Sequence, residues 1–213
     1  MNDAVLIAAG YVIGSLPFGY WLPRLVRGVD IRTIGSGNVG ASNVWRSCGA
    51  RFGIAVALLD IGKGVAAGLL GRLVGDELIG VLAGTAALAG HYRPLFLGFA
   101  RGGKVVATTG GVAFAVAPLV SLCGSAVWIA VFLVTRYASV ASICAGCSLP
   151  LFALLFDASW PVLGFTIGAA VAITALHYGN VRRLLHGEER RASFSLTARL
   201  LRRRISGAAG GPG

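Results

Sequence analysis

The chain has 213 residues, of which 56% are hydrophobic and only 13% charged, and its mean hydropathy is +0.78. That balance excludes a soluble globular domain, whose core could not hide so much apolar sequence, and indicates a membrane protein. A net charge of +11 would suggest nucleic acid in a soluble chain. Here it reads as topology signals and contacts to anionic lipid or substrate, with no nucleic-acid partner.

In chain order, the first span is expected over 4–22, retained because Met1-Asn2-Asp3 lacks the basic start of a signal peptide. Pro17 and Pro23 near its end allow a kink or a stop. A loop over 23–51 follows, carrying Arg24, Arg27, Arg32, Arg46 and Arg51 against one acid, Asp30. The second span covers 52–73, and Asp76 and Glu77 form an acidic turn. The third starts at 78 and is expected to run on to about Phe99, since stopping at Ala89 leaves a helix too short for the hydrocarbon core. Pro94 then kinks it or marks a re-entrant segment. Residues 105–135 are too long for one span, and Pro118 offers a turn, which gives short helices over 107–119 and 121–135. Spans at 140–156 and 160–177 complete the set.

The fold class is therefore all-α and polytopic, with seven transmembrane helices in one domain over 1–190 and a basic, Gly-rich tail over 191–213. Charge sidedness supports that count. With seven helices, 17 of the 19 Lys and Arg residues fall on one side, while Asp3, Asp76, Glu77 and Asp157 fall on the other. The positive-inside rule then places the N-terminus outside and the C-terminus in the cytoplasm. Among four cysteines, Cys144 and Cys147 make a formal C-x-x-C inside an apolar helix with no second pair. They read as buried small residues rather than a metal site.

Between the first two spans lies a polar stretch, 34–46, punctuated by Gly35, Gly37 and Gly40 and carrying Ser36, Asn38, Ser42, Asn43 and Arg46. Glycine lets a backbone approach a ligand closely, and successive N–H groups can form an anion-binding nest. Arg101-Gly102-Gly103-Lys104 is a second loop of this kind, and Lys104 supplies a point charge for phosphate. Arg46 can bind a phosphate bidentately. His177 and Asn180, at i and i+3, share a face where the last span ends. His177 can serve as a general base or a phosphate ligand. Ser139 and Ser142 share a face as well, and Arg183 follows Asn180 by three. All of these lie in breaks that face the cytoplasm, so one pocket can gather them. Asp60 and Lys63, charged inside the second span, read first as a structural pair near that pocket. No G-x-S-x-G elbow, H-x₄-D pair or metal-ligand spacing is present, and no cofactor is expected. These absences favour direct transfer between two bound substrates, with proximity supplying much of the rate.

Taken together, the residues resemble the bacterial acyl-phosphate:glycerol-3-phosphate acyltransferases. The resemblance covers 10–190. It rests on Gly14-Ser15-Leu16-Pro17-Phe18-Gly19-Tyr20, the 35–46 stretch, Leu59-Asp60-Ile61-Gly62-Lys63-Gly64, Gly90-His91, Gly102-Gly103-Lys104 with Val106-Ala107-Thr108, Arg136-Tyr137-Ala138-Ser139 with Ser142, and His177 with Asn180, Arg183, Leu184 and Gly187. It implies a seven-helix bacterial inner-membrane enzyme whose site faces the cytoplasm. The implied reaction moves a fatty acyl group from acyl-phosphate to the sn-1 hydroxyl of glycerol 3-phosphate in phospholipid synthesis. The products would be lysophosphatidate and inorganic phosphate, without coenzyme A or acyl carrier protein as donor. The resemblance makes Ser36, Lys104, His177 and Asn180 the catalytic set. Gly37, Asn38, Asn43, Arg46, Gly102, Gly103, Ser139, Ser142 and Arg183 would bind substrate phosphate. Three positions depart from the family pattern. Val105 stands where glycine usually follows the lysine, and Leu176 and Tyr178 flank His177 where arginine is frequent. A second reading is a diverged non-catalytic binder or transporter of phosphorylated lipid intermediates.

Overall fold

The structure is a computed structural model and describes residues 2–192. Ten α-helices, and no strands, make up those residues: α1 Asp3–Gly14, α2 Phe18–Arg27, α3 Ala41–Cys48, α4 Ala50–Val74, α5 Glu77–Tyr92, α6 Val106–Val116, α7 Pro118–Thr135, α8 Ala138–Leu155, α9 Trp160–Leu176 and α10 Tyr178–Leu185. The Arg202-Arg203-Arg204 run and the rest of the expected tail beyond Ala192 lie outside the described residues.

The long apolar α4 is the hub and packs against α1, α3, α5 and α6, while α8 lies between α7 and α9. Small residues set these distances. A Cβ on Gly14 would sit 2.1 Å from the Ala87 carbonyl oxygen, and one on Gly64 would sit 2.3 Å from that of Thr108. Backbones at that separation form the close crossings typical of helices in lipid. At the other end of the bundle, Asp76 caps α5 by accepting from Ile79 N–H at 2.9 Å, a bond worth about 1 kcal/mol. Ser159 Oγ donates to Glu77 Oε1 there, tying α9 to α5.

Four helical segments are long and apolar enough to cross a membrane: 3–27 (α1 with α2), α4, α7 and α8. The bent pair α9 and α10, turning by 50°, makes a fifth. The chain is an integral membrane protein on this composition.

Several boundaries differ from the expectations. The first span is interrupted between Gly14 and Phe18, because Pro17 has no N–H to continue the ladder. Helix α2 then carries on to Arg27, inside the expected loop, and α3 occupies more of it. On α3, Val44 and Cys48, at i and i+4, are buried with Ile31, Val39 and Val56, while Ser42 and Arg46 are exposed. One apolar edge on eight residues is too little periodicity to read from sequence. Helix α5 stops at Tyr92 instead of reaching Phe99, and Pro94 leads into a 3₁₀ turn over Leu95–Leu97. Cys144 and Cys147 lie on the exposed face of α8 rather than inside the bundle, where lipid suits a weakly polar thiol.

Candidate active site

Asp30 opens the first glycine-rich loop. It accepts from Arg32 N–H at 3.0 Å and clamps the Arg32 guanidinium at 2.7 Å. These hydrogen bonds from Arg32 hold its carboxyl down at about 2. The chain then turns through Gly37 at φ +68°. Asn43, on α3, reaches back across this turn. Its Oδ1 accepts from Ser36 N–H at 3.0 Å, and its Nδ2 donates to the carbonyls of Ile34 at 3.0 Å and Ile31 at 3.3 Å. Its amide is thus spent on shaping the loop. Ser36 keeps an exposed hydroxyl on the rim.

Asn38 joins this loop to the second. Its Oδ1 accepts from Gly40 N–H at 2.8 Å and its Nδ2 donates to the Gly102 carbonyl at 3.2 Å. Gly102 and Gly103 donate their own N–H groups to the carbonyls of Tyr92 and His91, at 2.8 and 3.1 Å. The loop is therefore pinned to the end of α5. It offers a ligand the Lys104 side chain and the unpaired N–H groups of the first turn of α6. Val105, the departure from the glycine pattern, has φ +57° and is buried. A β-branched residue in the left-handed region carries strain that glycine would not.

Lys104 Nζ donates to Asn180 Oδ1 on α10. Asn180 Nδ2 donates to Glu189 Oε1 at 2.6 Å, Ser139 Oγ donates to the same oxygen at 2.9 Å, and Arg183 Nε donates to Glu189 Oε2 at 2.8 Å. Glu189, only 8% exposed at its side chain, thus gathers α8 and α10 behind Lys104. Burial raises its affinity for a proton, but the donors Asn180, Ser139 and Arg183, with the Arg183 charge, hold the carboxyl below its ordinary value. Burial, followed by the nearby Arg183, Arg101 and Arg46 charges, pushes the Lys104 amine down to about 8, against the attraction of Glu189. Four cations facing one carboxylate leave an excess of positive charge for a phosphate.

His177 sits at the bend between α9 and α10 and is buried. Its Nδ1 faces the Ile173 carbonyl at 2.8 Å, which accepts the proton there and leaves Nε2 as an acceptor. It lies within electrostatic reach of Lys104 and Glu189, as Arg46 does of Glu189 and Arg183. Ser142 Oγ donates to the Ala138 carbonyl at 2.7 Å and accepts from Trp128 Nε1 at 3.1 Å, so its hydroxyl already has partners on α8 and α7.

Of the residues singled out from sequence, Asn38, Gly102, Lys104, Asn180, Arg183 and Ser139 are joined by these contacts, and Gly103 sits among them. His177 and Arg46 stand nearby, whereas Ser36 and Gly37 lie toward the rim. Glu189 was not anticipated. The available signal was a lone acidic pair, Glu188-Glu189, in a basic segment just past Gly187, whose φ of +70° turns the chain back.

Fold and site define an integral membrane protein with a cluster of basic side chains around the Lys104–Asn180 junction. The family model described as glycerol-3-phosphate acyltransferase matches residues 4–187, and the chain belongs to that family. A relative from Desulforudis audaxviator, named glycerol-3-phosphate acyltransferase, is 45% identical over 190 residues, covering 89% of this chain and 96% of its own. One of the same name from Aquifex aeolicus is 43% identical over 197 residues, covering 90% and 100%. Two crystal structures of PlsY, an integral membrane glycerol 3-phosphate acyltransferase, share the fold. The glycerol 3-phosphate form aligns with a TM-score of 0.87 at 39% identity, covering 94% of this chain and 99% of that one. The lysophosphatidic acid form aligns with a TM-score of 0.84, also at 39% identity, covering 91% and 96%.

Proposed function

We propose that this enzyme transfers a fatty acyl group from acyl-phosphate to the sn-1 hydroxyl of glycerol 3-phosphate, releasing lysophosphatidate and inorganic phosphate. The observation that carries the reading is the junction of Lys104 with Asn180, where a glycine-rich loop, α10 and a surplus of positive charge meet beside His177. Acyl-phosphate is already activated. The glycerol hydroxyl attacks the acyl carbon, and the bond from that carbon to the phosphate oxygen breaks. Lys104 and the first-turn amides of α6 stabilise charge on the departing phosphate. Arg46 and Arg183 hold phosphate groups, and His177 Nε2 or a phosphate oxygen of the donor takes the hydroxyl proton. Asn38, Asn43, Gly37, Gly102 and Gly103 shape the two loops, while Ser36, Ser139 and Ser142 line the pocket.

Seven spans over 1–190, with the N-terminus outside and the site open to the cytoplasm at the inner membrane, agree best with the charge distribution. On that reading the short helices α5 and α6 also cross, both packed against α4. Membership of an acyltransferase family over most of the chain supports catalysis rather than a diverged binder or transporter. Purified protein given palmitoyl-phosphate and glycerol 3-phosphate should form lysophosphatidate. No product from a folded preparation, across several acyl-chain lengths, would refute the reading.

A further inference from the structure

Behind the glycine-rich loop lies a buried polar group that the proposed chemistry does not use. Lys63 Nζ, in the middle of α4, lies 2.8 Å from Asp60 Oδ1, 2.9 Å from the Leu16 carbonyl oxygen and 2.7 Å from His91 Nδ1. An ammonium has three N–H donors and no acceptor, so these three contacts use it completely. The Leu16 carbonyl is available because it falls in the break between α1 and α2, where Tyr20 N–H turns to Pro17 instead. Lys63 therefore ties together α4, the α1–α2 break and the end of α5. All three charged or titratable side chains are buried. Such groups are rare within a membrane bundle and tend to mark function.

The connection to the site runs through His91. Accepting at Nδ1 puts its proton on Nε2. The Nε2 edge lies against Gly103, so closely that a Cβ on Gly103 would fall 2.0 Å from it. A Cβ on Gly102 would fall 2.0 Å from the His91 carbonyl oxygen, the same oxygen that accepts from Gly103 N–H. The backbone and the ring of one residue thus form the wall on which Gly102 and Gly103 rest, and Lys104 follows directly.

We propose that Lys63 and His91 are positioning residues for the reaction. Lys63, neutralised by Asp60, fixes the tautomer and angle of the His91 ring, and the ring sets the Gly102–Gly103 backbone that aims Lys104 at the leaving phosphate. The proposal rests on the acyltransferase reading. A purely structural ion pair would stabilise the bundle without affecting phosphate binding in molecules that remain folded.

The test uses full-length protein in detergent. Inorganic phosphate, the product, is titrated as a stabilising ligand by thermal shift, and the KM for palmitoyl-phosphate is measured alongside. Lys63→Met and His91→Ala should each weaken phosphate binding and raise that KM tenfold or more. Because Lys63 acts through His91, the double variant should be no more than twofold worse than His91→Ala alone. His91→Asn keeps an acceptor for Lys63 and loses only the ring edge at Gly103, so it should weaken phosphate binding without lowering the melting temperature. It also answers the question should Lys63→Met fail to fold. Arg72→Met is the control. It breaks a partly buried tie of the same helix, Arg72 to the Ala115 carbonyl at 2.8 Å, away from the loop, and should lower stability while leaving phosphate binding unchanged. Phosphate binding within twofold of wild type in His91→Asn would overturn the proposal and leave the acyltransferase reading standing. A wild-type protein that neither binds phosphate nor makes lysophosphatidate would overturn both.

Discussion

Lys104 and Asn180 are 76 positions apart in sequence, yet the lysine ammonium donates directly to the asparagine side-chain oxygen. One contact thereby joins the glycine-rich loop after α5 to the helix that follows the last apolar span. Removing either partner should affect catalysis more than folding. Lys104→Ala deletes the charge at the leaving phosphate and should lower kcat by a factor on the order of 10²–10³, the range for losing one group that stabilises transition-state charge. The variant should remain monodisperse in detergent. Normal turnover would contradict the phosphate-pocket reading.

The Lys104 amine, held at about 8 in the folded protein, gives opposite pH trends for activity and stability. Above pH 8 the free enzyme loses the ammonium that binds phosphate, so kcat/KM for acyl-phosphate should fall with rising pH. Stability moves the other way. Between pH 8 and the ordinary lysine value of 10.5 the unfolded chain binds more protons than the folded one, so the contribution of this group to stability grows across that window. In Lys104→Arg the descending limb of kcat/KM should move above pH 10, as an arginine stays charged. A limb unchanged at pH 8 in that variant would assign it to another group.

Glu189 holds three donors of the site in place, so Glu189→Ala should leave Asn180, Ser139 and Arg183 without their common acceptor. The two buried donors, Asn180 and Ser139, cost about 1–3 kcal/mol each when left unpaired. The variant should lose stability, and kcat/KM should drop at least tenfold as Asn180 ceases to be aimed at Lys104. The folded carboxyl lies below its ordinary value. Its contribution to stability is therefore present above the unfolded pKa, near 4.5, and is lost as pH falls through the folded one. Acid melting curves of wild type and Glu189→Ala should converge below that range.

Val105 supplies a stability ordering. Val105→Ala keeps the left-handed strain, roughly 1–2 kcal/mol, and loses the buried side chain. Val105→Gly loses the same side chain but relieves the strain. Glycine should therefore be the more stable of the two variants, reversing the usual advantage of alanine, as thermal melts in detergent would show. Alanine above glycine would mean that Val105 carries no strain.

Sidedness is open to direct labelling. A cysteine placed in the 74–77 turn, in a background lacking the four native cysteines, should react with an impermeant maleimide added outside intact cells. Reaction only after the cytoplasm is opened would invert the proposed topology.

The apolar segments were legible because length and composition alone decide whether a helix suits lipid, and the α6–α7 boundary because Pro118 can start a helix but not continue one. Helix α3 was not, since its burial comes from Val56 on α4 and Ile31 in the loop rather than from its own eight residues. In the candidate site, Lys104, His177 and Asn180 lie together as their local marks of glycine, charge and helix-face spacing suggest. Glu189 was not legible, because its meaning depends on Ser139, 50 positions earlier. Asn43 shows the converse. Its residue type suggested a ligand donor, but the Ile31 and Ile34 carbonyls take both of its N–H donors and the Ser36 N–H occupies its oxygen. Asp60 and Lys63 were paired by spacing, while the third member, His91, lies 28 positions beyond Lys63 on another helix.

The most direct test of the central claim is the stoichiometry of phosphate release. Purified protein is given palmitoyl-phosphate with and without glycerol 3-phosphate, and inorganic phosphate and lysophosphatidate are measured together. The account predicts release that depends on glycerol 3-phosphate, with one lysophosphatidate formed per phosphate. Release that ignores glycerol 3-phosphate, or its absence from folded protein at every chain length tried, would contradict it.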